Sequence, residues 1–211
     1  VHLRGEGEVA FAAGADISQF GSERSPERAK EFDARTEAAL SALYDLPVPV
    51  IAEIAGFCIG AGVSIALCCD VRVADESARF GVPPARLGVA YPTDSLIRLI
   101  DEIGVTNTKA LIFSASLVDS RTAHHMGLAT EVWAAEARSH RVRSLIESYL
   151  ANAPLTLRAT KEATRLLSRR TIAPELRAAL DTLSHHCVMS DDYAEGTRAF
   201  LEKRPPSFLG R

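Results

Sequence analysis

The sequence contains no run of apolar residues long enough to cross a bilayer, although 47% of its 211 residues are hydrophobic. That apolar content is instead enough for a sizeable core and argues against disorder. Charge of one sign is also scarce. Lys and Arg number 24 against 27 Asp and Glu, a net charge of -3, so the chain lacks the electrostatic footprint of a partner for nucleic acid or for an anionic membrane. Cysteine is sparse: Cys58, Cys68, Cys69 and Cys187, with no CxxC pair. The cysteines read as buried free thiols in a reducing, cytoplasmic compartment rather than as disulfides or zinc ligands. The pairs His124-His125 and His185-His186 lack metal-ligand spacing, so no metal site is expected.

Motifs for phosphate and nucleophile chemistry are missing too. There is no GK[ST], which excludes a P-loop, and "GAGVSI" lacks the third glycine of GxGxxG. Gly62-Val63-Ser64-Ile65-Ala66 lacks the final glycine of a nucleophile elbow. Between Gly56 and Cys69 there is no acid, base or histidine at all.

What is present is an alternation of β-branched runs and short helical patterns. A strand ends near Arg4 and is followed by a glycine-rich turn. Because the chain opens inside a strand, we expect a further N-terminal part of the fold. Helical spacing runs from Pro26 to Leu46, "PVPVIAEIAGF" reads as a buried strand, and Gly62 to Cys69 as a short buried helix. "DVRVAD" is a strand, "TDSLIRLIDEIG" a helix with an Asp or Thr cap and a terminal glycine, "DSRTAHHMG" a short capped helix and "LATEVW" a strand. From Ala134 the pattern is helical in three stretches almost to the end. The expected architecture is an α/β core over 1–133 and an α-helical region over 134–211.

Within this pattern two turns stand out. In "FAAGADI", Gly14 and Ala15 follow an apolar strand; in "GFCIGAG", Gly60 and Ala61 follow another and open a helix. First-turn N–H groups have no partner within their own helix, and the helix dipole favours negative charge there. Two such donors, one from each turn, can form an oxyanion hole.

The segments "AFAAGADISQF", "IAGFCIGAGVSIALCCDVRVADESARFGVPPARLG" and "SDDYAEGTRAFLEKRPPSFLGR" resemble the enoyl-CoA hydratase/isomerase (crotonase) superfamily, in order and spacing, over nearly the whole chain. The resemblance implies a spiral of β-β-α repeats and a helical C-terminal trimerisation region, with a trimer or dimer of trimers as the assembly. It implies an acyl-CoA thioester as substrate, with coenzyme A part of that substrate and no separate cofactor. It assigns the Ala15 and Ala61 N–H groups as donors to a thioester enolate, with Ala13, Gly14, Asp16, Ile17 and Gly60 beside them. It further implies that Phe200 and Lys203 contact the CoA adenine and phosphates.

The sequence departs from the family's hydratases at both catalytic glutamates, where it has Ser64 and Pro84. Neither can act as a carboxylate base. "LGVAYPTD" offers Tyr91 and Asp94 instead. A tyrosine at the place of Tyr91 resembles the methylmalonyl-CoA decarboxylase branch, as does "KALIFSAS", although Ala15 stands where that branch has histidine. The resemblance therefore implies an enzyme working through a thioester enolate that decarboxylates a 2-carboxyacyl-CoA. Tyr91 would hold the carboxylate, and Val82, Pro83 and Leu87 would form an apolar wall. An isomerase using Asp94, an atypical hydratase and a non-catalytic acyl-CoA-binding member are the alternatives. Asp94 also reads as a helix cap.

Overall fold

The computed structural model describes residues 1–16, 26–87, 90–168, 175, 190–192, 195, 202–204 and 206–211. They divide into two compact units, one of Val1–Leu46 with Val50–Val142 and one of Pro47–Pro49 with Arg143–Arg211.

In the first unit, strand pairs alternate with helices. The order is β1 (His2–Arg4), β2 (Ala10–Ala12), α1 (Pro26–Tyr44), β3 (Ile51–Ile54), β4 (Phe57–Ile59), α2 (Ala61–Leu67), β5 (Val71–Asp75) and β6 (Arg79–Gly81). A 3-10 turn over Pro84–Leu87 leads to α3 (Thr93–Ser114), followed by β7 (Val118–Asp119), α4 (Ser120–Met126) and β8 (Glu131–Trp133). The two strands of each pair go to different sheets. One sheet has the order β1-β3-β5-β8 and the other β2-β4-β6-β7. Every pairing is parallel except β6 with β7. This is the expected spiral of β-β-α repeats.

Burial follows from the parallel arrangement, in which strands are covered on both faces and read as continuous apolar runs. All four residues of β3 are buried. The core gathers Ile54, Val63, Phe80, Leu99, Leu111 and Leu128, each no more than 1% exposed. Each such side chain contributes about 1.5–3 kcal/mol. Cys58, Cys68 and Cys69 are buried free thiols, and burial holds the Cys58 thiol far above its ordinary range.

The one charged residue in β3, Glu53, is 4% exposed. It accepts from Arg138 Nε at 2.9 Å and Ser139 Oγ at 2.6 Å, and pairs with His2 Nε2 at 2.8 Å. The same guanidinium binds the buried Asp75 and reaches Glu8 at 2.8 Å. Burial pushes the Glu53 carboxyl up, but the hydrogen bonds from Ser139 and Arg138 and the Arg138 charge outweigh it, so its pKa lies below the ordinary 4.5. A carboxyl whose pKa is lowered by folding adds stability above its unfolded pKa and loses it as pH falls through the folded value. The urea midpoint is therefore expected to fall between about pH 5 and pH 3, more steeply in the wild type than in Glu53→Gln. Equal slopes in the two proteins would remove Glu53 from this role.

Helix ends match the sequence reading with two corrections. Asp119 caps α4, accepting from Thr122 N at 2.8 Å, and Gly127 closes it with φ 96°. Asp94, expected as a cap, does not act as one. Pro92 occupies the N-cap position and α3 has no side-chain cap, so Asp94 lies exposed in the first turn, where its charge suits the helix dipole. The glycine expected to end that helix, Gly104, breaks it with φ 74° and ψ 166°, and a second helical segment continues to Ser114.

The division between the units falls within α5 (Ala135–Leu150), and α6 (Pro154–Leu167) lies in the second. There, Asp192 accepts from the backbone N–H groups of Leu209 and Gly210 at 2.6 and 2.8 Å, and Arg204 pairs with Glu195 at 2.7 Å. The third expected helix, with His185, His186 and Cys187, lies outside the described residues. Among those described, no helix is long and apolar enough to cross a membrane, and no cluster of His, Cys, Asp and Glu could hold a metal ion.

Candidate active site

Three parallel strands end together. Ala12 of β2 pairs with Cys58 of β4, and Ile59 of β4 pairs with Gly81 of β6. The chain therefore leaves one sheet edge three times, over residues 13–16, 60–64 and 82–87. Carboxyl ends of parallel strands are where open α/β sheets place ligands.

The first two segments touch at their glycines. A Cβ built on Gly14 would lie 3.2 Å from the Ile59 carbonyl oxygen and 3.8 Å from Ala61 N, and one on Gly60 would lie 3.9 Å from Gly14 Cα. Gly60 has φ 57°, which L side chains rarely adopt, and donates its N–H to Gly81 O at 2.9 Å. Gly62 is required for space: a Cβ there would come within 2.2 Å of the Ala12 carbonyl oxygen. These glycines press α2 onto the end of β2 and so bring the Ala15 and Ala61 backbones to one place. Ala61 is the first residue of α2. Neither its N–H nor that of Ala15 has an acceptor among the described residues. Ala13, Gly14 and Asp16 are exposed, and Ala15, Gly60 and Ala61 half-buried.

Tyr91, just before α3, reaches α2. Its hydroxyl lies 2.6 Å from Ser64 Oγ. Ser64 is 3% exposed, and the phenol is partly buried against the core. Burial pushes the Tyr91 pKa up to about 12, with the Ser64 hydrogen bond pulling more weakly the other way. At neutral pH the phenol therefore stays protonated and can donate, but it is not a base. Ser95, in the first turn of α3, is buried, and its Oγ has no hydrogen-bond partner among the described residues. It was not singled out in the sequence; the signal available was its place four residues past Tyr91 across a helix start.

Pro84 is buried in the 3-10 turn. Val82, expected in an apolar wall, is 0% exposed and belongs to the core cluster. Pro83 is half-buried. Ile17 and Phe200 lie outside the described residues, and Lys203 is an exposed residue of the second unit with φ 55°.

The family model described as Enoyl-CoA hydratase/isomerase matches residues 1–211. A crotonyl-CoA hydratase of Syntrophomonas wolfei is 31% identical over 99% of this chain and 80% of its own length. The human mitochondrial methylglutaconyl-CoA hydratase is 32% identical over 99% of this chain and 62% of its own. Among solved structures, an enoyl-CoA hydratase/carnithine racemase from Magnetospirillum magneticum superposes with a TM-score of 0.92 at 32% identity, covering 100% of this chain and 78% of that one. A family member from Hyphomonas neptunium gives 0.91 at 35%, covering 100% and 80%. The chain belongs to the enoyl-CoA hydratase/isomerase family of acyl-CoA enzymes.

Proposed function

We propose that this enzyme forms a thioester enolate without a carboxylate base, by decarboxylating a 2-carboxyacyl-CoA such as malonyl-CoA or methylmalonyl-CoA. The observation that carries the reading is the Ser64–Tyr91 hydrogen bond of 2.6 Å. By the family resemblance, Ser64 occupies the place of a hydratase glutamate, and what stands there is a pair of neutral hydroxyls. Hydration needs proton transfers, each worth about 10²–10⁴-fold. Loss of CO₂ makes the enolate from the electron pair of the breaking C–C bond, so no base has to remove a proton.

In this reading the thioester oxygen rests on the Ala15 and Ala61 N–H groups. The protonated Tyr91 hydroxyl donates to the substrate carboxylate and holds it out of the thioester plane, where the breaking bond overlaps the developing enolate. A phenolate would repel that carboxylate; a pKa of about 12 keeps the phenol neutral. A trimer or dimer of trimers is part of the proposal, supported by the exposed apolar side chains of Leu150, Leu167 and Leu209.

A second reading, hydration by unrecognised groups, draws on the hydratases among the relatives. Incubating the enzyme with a panel of acyl-CoAs in D₂O, followed by mass spectrometry, separates the two. CO₂ loss with crotonyl-CoA left unhydrated is the expected result. Tyr91→Phe is expected to lower kcat by about ten- to a hundredfold, the loss of one hydrogen bond to a charged group, while binding of non-carboxylated acyl-CoA stays constant. Efficient crotonyl-CoA hydration, or unchanged decarboxylation in Tyr91→Phe, would overturn the reading.

A further inference from the structure

Ser64 lies one turn into α2 and is 3% exposed. Its hydroxyl hydrogen needs an acceptor, because a buried polar group left unpaired costs free energy. A serine inside a helix can give that hydrogen to the carbonyl one turn back or to a side chain from outside the helix. The carbonyl one turn back is that of Gly60. It already accepts the Val63 and Ser64 N–H groups at 3.0 and 3.2 Å, which takes up both of its lone pairs. The one side-chain partner of Ser64 Oγ among the described residues is the Tyr91 hydroxyl, at 2.6 Å.

This contact joins two hydroxyls and uses the hydrogen of one. If Tyr91 donated, the hydrogen left over would belong to the enclosed Ser64 and would have no acceptor. If Ser64 donates, the hydrogen left over is that of the phenol, and Tyr91 is only half-buried. The second arrangement alone leaves no enclosed hydrogen unpaired. It also makes the phenol a stronger donor, since hydrogen bonds in a chain polarise one another.

The helix sets where that donor stands. Ser64 follows Ala61 by three residues, so the two are neighbours on one face of α2. Side chains of a helix lean toward its N-terminus. The hydroxyl pair therefore lies toward the end of α2 that carries the Ala61 N–H, the proposed seat of the thioester oxygen.

We propose that Ser64 is a positioning residue: its O–H donates to Tyr91 and leaves the phenolic hydrogen aimed away from α2, onto a carboxylate carried at C2 of the acyl group. The inference rests on the decarboxylase reading above and adds to it the residue that aims the donor.

The test uses two CoA thioethers that cannot form an enolate, 2-carboxypropyl-CoA and propyl-CoA, with affinities measured by calorimetry. Wild type is expected to bind the carboxylated thioether more tightly. Ser64→Ala adds no volume and favours the helix. It is expected to lose about tenfold of the affinity for the carboxylated thioether, the size of one hydrogen bond to a charged group, with propyl-CoA unchanged. A phenol that instead donated to Ser64 would be released by the same substitution and would bind the carboxylate more tightly, so the sign of the change reads the direction of the hydrogen bond. In the Tyr91→Phe background Ser64→Ala is expected to have no further effect, because Ser64 acts through the phenol. Wild type that does not distinguish the two thioethers would overturn the decarboxylase reading and this inference with it. If wild type distinguishes them, the inference alone falls on any of three results: unchanged or tighter binding of the carboxylated thioether by Ser64→Ala, an equal loss for both ligands, or an undiminished Ser64→Ala effect in the Tyr91→Phe background.

Discussion

Ala61→Pro is expected to lower kcat by about 10²–10³-fold while leaving the protein folded. Ala61 is the first residue of α2, the position where proline is best tolerated in a helix because its N–H is not used by the helix and its fixed φ suits the first turn. The Ala61 N–H has no acceptor among the described residues, so the substitution breaks no hydrogen bond among them. What it removes is one of the two proposed donors to the thioester oxygen, an interaction that strengthens as that oxygen gains charge. The loss should therefore appear mainly in kcat. Ala61→Ser, which keeps the N–H, serves as the control and is expected to retain turnover. Steady-state kinetics on the acyl-CoA that the wild type consumes, with circular dichroism to confirm folding, decides the matter. A folded Ala61→Pro enzyme with wild-type kcat would remove Ala61 from the oxyanion hole.

Arg138→Met is expected to destabilise the first unit by about 3–5 kcal/mol, the largest stability effect of any single side chain considered. Arg138 is 5% exposed and binds Glu53 and Asp75, themselves 4% and 1% exposed. Removing the guanidinium leaves two buried carboxylates without their cation, and the cost is mostly that of the uncompensated charge rather than of a lost attraction. Arg138→Lys keeps the charge but not the planar fork that serves Glu53, Asp75 and Glu8 at once, so an intermediate loss is expected. Urea denaturation followed by fluorescence of Trp133, the chain's only tryptophan, reports on this unit directly. A midpoint for Arg138→Met within error of the wild type would show that the cluster does not support the sheet.

Much of this molecule can be read from local pattern. The apolar run before Gly56 gives β3, the capped heptapeptide before Gly127 gives α4, and the turns at Gly14 and Gly60 mark the two strand ends that matter. In each case the cause lies within a few residues: a continuous run of apolar, largely β-branched side chains, a carboxylate at an N-cap, a backbone conformation only glycine adopts comfortably. Family membership was legible for the same reason, since its motifs are short and contiguous.

Tertiary structure alone decided the partnerships. Asp94 had the look of a cap, but Pro92 fixed the helix start and left it in the first turn. Val82 read as a site wall, yet just past the end of β6 it packs into the core cluster. Glu53 passed as one residue of a buried strand until folding brought Arg138 to it from 85 positions away. Ser64 and Tyr91, 27 apart in the chain, meet because parallel strands β4 and β6 end at the same edge. The sequence by itself determined which segments become strands, helices and tight turns, because those depend on neighbours in the chain. Which hydroxyl faces which, and which buried charges are compensated, depends on sheet register and helix docking, and those are set by the packing of the whole core.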